Sequence, residues 1–175
     1  MNLTDCRYHF KMIMVGDDSV GKSCMLPEST DVTIGMNCCD HVLEVEPGVK
    51  VNLQIWDTAG HEPFLAFTYI RQWHMEVCNI VQPHTVLFML VGHKCDRKER
   101  EVNQYEVEEF ASELGAPYIE ASAKTGHNVA EAFELLTRRI YQGYLSGEMR
   151  LHESWGKIHK NKPEDSNKCG ASKST

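Results

Sequence analysis

The stretch from Tyr8 to Ser23 constrains this chain more than any other. Tyr8 to Val15 (YHFKMIMV) reads as a largely buried strand. Gly16-Asp17-Asp18-Ser19-Val20-Gly21-Lys22-Ser23 follows it and fits the spacing G-x-x-x-x-G-K-[ST]. Glycines at both ends let the backbone curl so that successive N–H groups point inward at an anion, while Lys22 can bridge outer phosphates and the Ser23 hydroxyl can ligate magnesium. A glycine turn with an exposed lysine is the plainer alternative. The position between a buried strand and a helix start favours the phosphate loop.

The remaining elements predict an α/β chain. His41 to Glu46 and Val49 to Asp57 read as a hairpin turning at Pro47-Gly48, with Val51, Leu53 and Ile55 alternating with Asn52, Gln54 and Trp56. Ile70 to Val81 reads as a short helix with Trp73, Val77 and Ile80 on one face. Val86 to Val91 is a continuous apolar run, the mark of a strand covered on both faces. A helix over Gln104 to Leu114 carries Val107, Phe110, Ala111 and Leu114 at helical spacing and ends at Gly115. Tyr118 to Glu120 is a short strand. Asn128 and Glu131 then resemble a capping box for a last helix with Val129, Ala132, Phe133, Leu136 and Ile140 as its core stripe. Strands alternating with helices predict a three-layer, mostly parallel sheet, whose ligands bind at the carboxyl ends of strands. Gly16, Asp57, His93 and Ser122 all follow strand-like runs, so they can converge on one edge.

Three further segments carry chemistry there. Asp57-Thr58-Ala59-Gly60 closes the second hairpin arm: the carboxylate can hold magnesium through water, and the Gly60 amide can bond a terminal phosphate. In His93-Lys94-Cys95-Asp96, the Asp96 carboxylate can accept from both N1–H and the 2-amino group of guanine. Adenine offers no such donor pair and leaves the carboxylate unpaired. In Ser122-Ala123-Lys124, the Ala123 amide can meet the guanine carbonyl, and Lys94 and Lys124 can lay their stems along base and sugar. Each segment alone is an ordinary solvated turn; their order and strand-end positions make a set.

Composition sets limits on partners. A formal net charge of −7 argues against nucleic acid, which wants a basic face. With 42% hydrophobic and 25% charged residues, 175 residues suffice for one globular domain. No run is long and apolar enough to cross a bilayer, and Met1 to Arg7 does not read as a signal peptide. Seven cysteines without regular spacing read as reduced thiols; zinc, the rival reading, lacks a Cys-x-x-Cys pair.

Taken together these residues resemble the small GTPases, and the Rab family in particular, over roughly Tyr8 to Trp155. Supporting stretches are the phosphate loop, Asp31-Val32-Thr33-Ile34-Gly35, Leu53 to Gly60 and Glu120 to Lys124. Val91 to Asp96, Val81-Gln82-Pro83 and Trp155-Gly156 look most like the branch numbered thirty-nine and forty-two. The resemblance implies a P-loop GTPase fold of the Ras-like kind, GTP or GDP with magnesium, slow GTP hydrolysis, and a switch in vesicle-mediated membrane traffic. It implies effectors and regulators that read switch segments, and a monomer. On it, Asp18, Ser19, Val20, Gly21, Lys22, Ser23, Cys24, Thr33, Gly60, His93, Lys94, Asp96, Ser122, Ala123 and Lys124 hold the nucleotide. Ser23, Thr33 and Asp57 serve the metal, and His61, Gly60 and Lys22 the chemistry.

Several departures shape the expectations. His61 stands where most members have the glutamine that orients water, and His93 where the base motif usually has asparagine. Nine residues, 24 to 32, separate Ser23 from Thr33, roughly half the usual span, and Pro27 limits the first helix to about one turn. Twenty-five residues, 61 to 85, separate Gly60 from Val86, about half of what the family uses for switch, helix, strand and helix. One internal strand and most of the first helix are therefore expected to be missing. Either its neighbours close up, shifting the base loop by about 4.8 Å, or two rows of backbone groups lose their partners. The expectation is a Rab-like switch that binds GTP weakly or not at all. The alternative is a shortened, non-catalytic G-domain protein acting through protein contacts. A domain over residues 1–147 and a flexible polar tail over 148–175 are expected. In that tail Cys169 is followed by six residues, 170 to 175, so no C-a-a-X prenylation box exists. Without lipid, a cytoplasmic pool is expected, against the peripheral membrane association usual for the family.

Overall fold

A computed structural model describes residues 6–26, 36–59 and 66–150. Strand β1 (Tyr8–Met14) is followed by the phosphate-loop segment and a three-residue 3-10 turn, Ser23–Met25. Then come β2 (Met36–Glu46), β3 (Val49–Thr58), helix α1 (Ala66–Val81), β4 (Leu90–Gly92), α2 (Gln104–Glu113), β5 (Tyr118–Glu120) and α3 (Val129–Leu145).

Strand alternation builds the main core. β1 runs parallel to β3 from Tyr8 opposite Val51 to Met14 opposite Asp57, and β2 runs antiparallel to β3. In that register Tyr8, Phe10 and Met12 share a face with Val51, Leu53 and Ile55, and α3 lays Ile140 and Tyr141 over it. Tyr8 meets the rings of Tyr141 and Tyr144 edge-on, at 5.3 and 5.8 Å between centroids, the geometry that sets a positive ring edge on a negative face. Polar ties lock the helix to the hairpin: Arg138 donates to the Val45 carbonyl and the Tyr141 hydroxyl to Glu46 at 3.1 Å. The opposite sheet face is polar, with the Asn52 amide donating to Asp40 at 2.9 Å, and Ile13 there is 64% exposed.

β4 and β5 form a separate parallel pair, Leu90 opposite Tyr118 through Gly92 opposite Glu120. The sheet order is β1-β3-β2 in one sheet and β4-β5 in the other, so among the described residues no ladder joins β1 to β4. Of the two outcomes foreseen for a missing strand, the split is the one observed. Side-chain packing spans the break. Met25 belongs to a cluster with Ala121 and Ala132 beneath β4 and β5, its neighbour Leu26 belongs to the main core, and Phe133 of α3 packs on both. Helix α2 buries Val107, Phe110 and Ala111, and Arg71 of α1 lies over the Phe110 ring at 5.0 Å while pairing with Glu113 at 2.6 Å.

Three local expectations are corrected. The apolar run Val86 to Val91 yields a strand at Leu90–Gly92 alone and is half-buried throughout, because β5 offers three residues to pair with and β4's other edge faces the break. Helix α1 starts at Ala66 rather than Ile70, and Ile80 is 81% exposed rather than packed. Asn128 makes no side-chain cap: it sits at φ 54°, a left-handed conformation that asparagine tolerates, and its amide donates to the Glu120 carbonyl at 2.8 Å. Residues 148–150 fold back, with Met149 on the main core and Arg150 exchanging hydrogen bonds with Thr85. Residues 151–175, with Trp155 and Cys169, lie outside the described residues.

Leu53→Ala, at a side chain with no exposure in the centre of the three-stranded sheet, is expected to lower stability by about 2–5 kcal/mol in chemical denaturation. Ile13→Ser on the open face is expected to change it by no more than about 0.5 kcal/mol.

Candidate functional site

The phosphate-loop segment follows β1 directly. Lys22 folds its ammonium back over the loop and donates to the carbonyls of Gly16 at 2.9 Å and Asp17 at 2.8 Å. That takes two of its three N–H bonds and aims the charge into the loop. Gly21 has φ +98°, and a Cβ there would stand 2.5 Å from His93 Nδ1, so both the turn and the neighbour require glycine. Ser19 is also left-handed, at φ 57°. The helix of about one turn expected after the loop is a 3-10 turn, which supplies few of the aligned peptide dipoles that would favour an anion there.

At the far end of the loop, the Ser23 hydroxyl donates to Asp57 Oδ2 at 2.5 Å. Asp57 is fully buried at the end of β3, opposite Met14 of β1, so sheet register brings the two groups together. A hydroxyl oxygen and a carboxylate oxygen are hard donors that suit magnesium, so these residues fit that ion. Thr33, Gly60 and His61 lie outside the described residues.

The segments expected to read the base follow β4 and β5. The Ser122 hydroxyl, fully buried, donates to Asp96 Oδ1 at 2.6 Å, and Lys124 Nζ stands 3.9 Å from Oδ2. The Ser122 hydrogen bond, more than the charges of Lys124 and Arg97, holds the Asp96 carboxyl below the usual carboxylate value. Asp96 therefore stays an acceptor in neutral solution, as pairing with two donors requires.

The two halves of the site touch. His93 Nδ1 lies 2.8 Å from the Val20 carbonyl, the Ala123 amide donates to His93 Nε2 at 3.1 Å, and Lys94 Nζ donates to the Ser19 carbonyl at 2.5 Å. The structure thus brings Ser19, Val20, Gly21, Lys22, Ser23, Asp57, His93, Lys94, Asp96, Ser122, Ala123 and Lys124 to one edge. Asp18 bonds locally to Ser19, and Cys24 is exposed.

Sequence reasoning missed the support behind the base turn. Glu120 accepts from Arg100 at 2.6 Å and from the Tyr118 hydroxyl at 3.0 Å. Burial, then the bond to Glu120, pushes the Tyr118 phenol up to about 12. A Cβ at Gly92 would lie 2.4 Å from that hydroxyl, so Gly92, in the quoted Val91-Gly92-His93, was the one legible trace of it.

Gly21→Ala forces a strained φ and a clash with His93, and is expected to cost about 1–3 kcal/mol in thermal or chemical unfolding. The Arg100 bond, ahead of the other influences, holds Glu120 below its ordinary value. The folded form therefore binds that proton less readily than the unfolded chain, and the contribution is full above about pH 4.5 and fades as pH falls through the folded value. Melting temperature measured from about pH 7 to about pH 3 is expected to fall less steeply in Glu120→Gln than in the wild type.

The Ras family model matches residues 11–70 and again residues 65–142. The overlap puts a break in the alignment at residues 65–70, where α1 begins. The human Ras-related protein Rab-39A is 36% identical over 184 residues, covering 85% of this chain and 85% of the relative. Human Ras-related protein Rab-42 is 35% identical over 90% of this chain and 89% of itself, and the rab-39 of Caenorhabditis elegans is 32% identical over 85% and 80%. The Rab-39A alignment is longer than the whole 175-residue chain although it takes in only part of it, so the relative carries internal residues with no counterpart here. This chain belongs to the Ras family of small GTPases, within its Rab branch.

Proposed function

We propose that the protein binds guanine nucleotide with magnesium and acts as a Rab-type switch in membrane traffic, with weak binding and slow turnover. One observation carries this reading. Asp96, the carboxylate that reads the base, is fixed and kept ionised by Ser122, in a turn hydrogen-bonded straight to the phosphate loop. Base and phosphates are thus addressed by one connected unit despite the break in the sheet. Asp96 pairs with the guanine N1–H and 2-amino group, Lys22 meets the outer phosphates, and Ser23, Asp57 and Thr33 hold the metal. Magnesium, when bound, would neutralise charge developing on the terminal phosphate. Lys22 and the Gly60 amide share that stabilisation, and His61 stands where the attacking water is oriented. Effectors and regulators read the switch segments around Thr33 and Gly60, as the family resemblance implies.

Weakness follows from the 3-10 turn after Ser23, which supplies few aligned N–H groups to the phosphates. The separated sheets favour a second reading, a non-catalytic G-domain protein that works through protein contacts.

Titration with fluorescent GDP separates the two. Saturable, magnesium-dependent binding is expected, and no binding at any accessible concentration leaves the second reading standing. Asp96→Asn is expected to weaken GDP by about 1.5–3 kcal/mol, the worth of hydrogen bonds to a charged group. It is also expected to improve xanthosine diphosphate, whose 2-oxo group accepts from the new amide.

A further inference from the structure

The His93 ring holds two bonds whose partners assign its tautomer. Its Nδ1 faces the Val20 carbonyl at 2.8 Å, which accepts and cannot donate, so Nδ1 carries the hydrogen. Its Nε2 faces the Ala123 N–H at 3.1 Å, which donates and cannot accept, so Nε2 presents a lone pair. The geometry belongs to the neutral ring in one tautomer. A doubly protonated ring would set N–H against N–H at Ala123. The ring is also wedged in place, since Gly21 leaves it room that no other residue would.

The Ala123 amide is the donor assigned to the six-position oxygen of guanine. In this structure it is already occupied, by a nitrogen of this chain. We infer that His93 is a positioning residue that stands in for the base: Nε2 takes the hydrogen bond meant for the guanine oxygen, and nucleotide entry requires the ring to release Ala123. This inference rests on the guanine reading above and names its regulation. Proton uptake by the ring makes the release, because Nε2–H can no longer accept. The Nδ1–H bond to Val20 survives protonation, so the phosphate loop stays tied to the base turn while the amide opens. Asp96 keeps its charge to lower pH than an ordinary carboxyl, because Ser122 holds its carboxyl low.

Other charged groups on the elements around the ring are Lys94 and Asp96 of its own turn, Asp17, Asp18 and Lys22 of the phosphate loop, and Lys124 and His127 of the turn bearing Ala123. Of these, His127 alone is an imidazole, so it is the group to control for.

The test uses the full chain, three nucleotides and three variants. His93→Asn places an amide nitrogen where Nδ1 stood, keeping Val20, but is too short to reach Ala123. His93→Gln keeps the longer reach. His93→Asn is expected to tighten GDP and inosine diphosphate, which share the six-position oxygen, on the order of 3- to 10-fold. The diphosphate of 2-aminopurine riboside, which lacks that oxygen, is expected to be unaffected, and His93→Gln is expected to tighten none of them. Acidification is expected to tighten GDP in the wild type and in His127→Asn but not in His93→Asn. Equal effects of His93→Asn on all three nucleotides, or a pH response that survives it, would overturn the inference.

A second readout needs no nucleotide. In NMR of the unliganded wild type, the Ala123 amide shift is expected to follow the titration of the His93 ring, with the Nδ1–H tautomer at high pH. An Ala123 amide indifferent to that titration overturns the inference. Should no nucleotide bind under any condition, the functional reading fails, and this NMR result alone decides the latch. The same holds if the melting curve shows that His93→Asn does not fold.

Discussion

Hydrogen bonds from His93 and Lys94 to the carbonyls of Val20 and Ser19 carry the connection between two sheets that share no strand ladder. In a continuous sheet, the distance between phosphate loop and base turn would be set by the strand lying between β1 and β4. Here it is set by side chains reaching across, backed by Met25 beneath one half, its neighbour Leu26 beneath the other, and Phe133 beneath both. A bond from a side chain to a backbone carbonyl is worth little alone, about 0.5–1.5 kcal/mol net. Several sharing one junction, with apolar packing below, keep the two halves in register.

That arrangement divides the molecule by strength. The three-stranded sheet with α3 has long ladders, a buried aromatic cluster and polar ties to Val45 and Glu46 beside the hairpin turn. The β4-β5 pair has three residues a side and leans on α2 and on the Arg100-Glu120-Tyr118 contacts. The proposed function asks most of the weaker half, because Asp96, Ser122 and Ala123 all ride on it. The buried Ser122 hydroxyl, accepting from the Thr125 amide while donating to Asp96, fixes the turn that the proposed function assigns to the base.

Much of this was legible in the residues. Strand alternation showed which side chains of β3 face the core, since Val51, Leu53 and Ile55 had to face one way, while the register with β1 was not legible. The spacing of the four loops located the edge where they meet, and the short count from Gly60 to Val86 foretold a missing strand. What failed did so where tertiary surroundings outweigh local pattern. Val86 to Val91 has strand composition, but a strand needs a neighbour, and the break removed one. Asn128 has cap chemistry, yet the Glu120 carbonyl claimed its amide. The pairing of Arg100 with Glu120 spans twenty positions and leaves no periodic trace.

Hydrogen exchange across the described residues, with and without GDP and magnesium, tests the central claim most directly. If one connected junction grips the ligand, protection rises together at residues 16–23, 93–96 and 122–124, and in β4 and β5 behind them. Protection that rises at residues 16–23 while the β4-β5 half exchanges as before would show that the two halves do not act as one site.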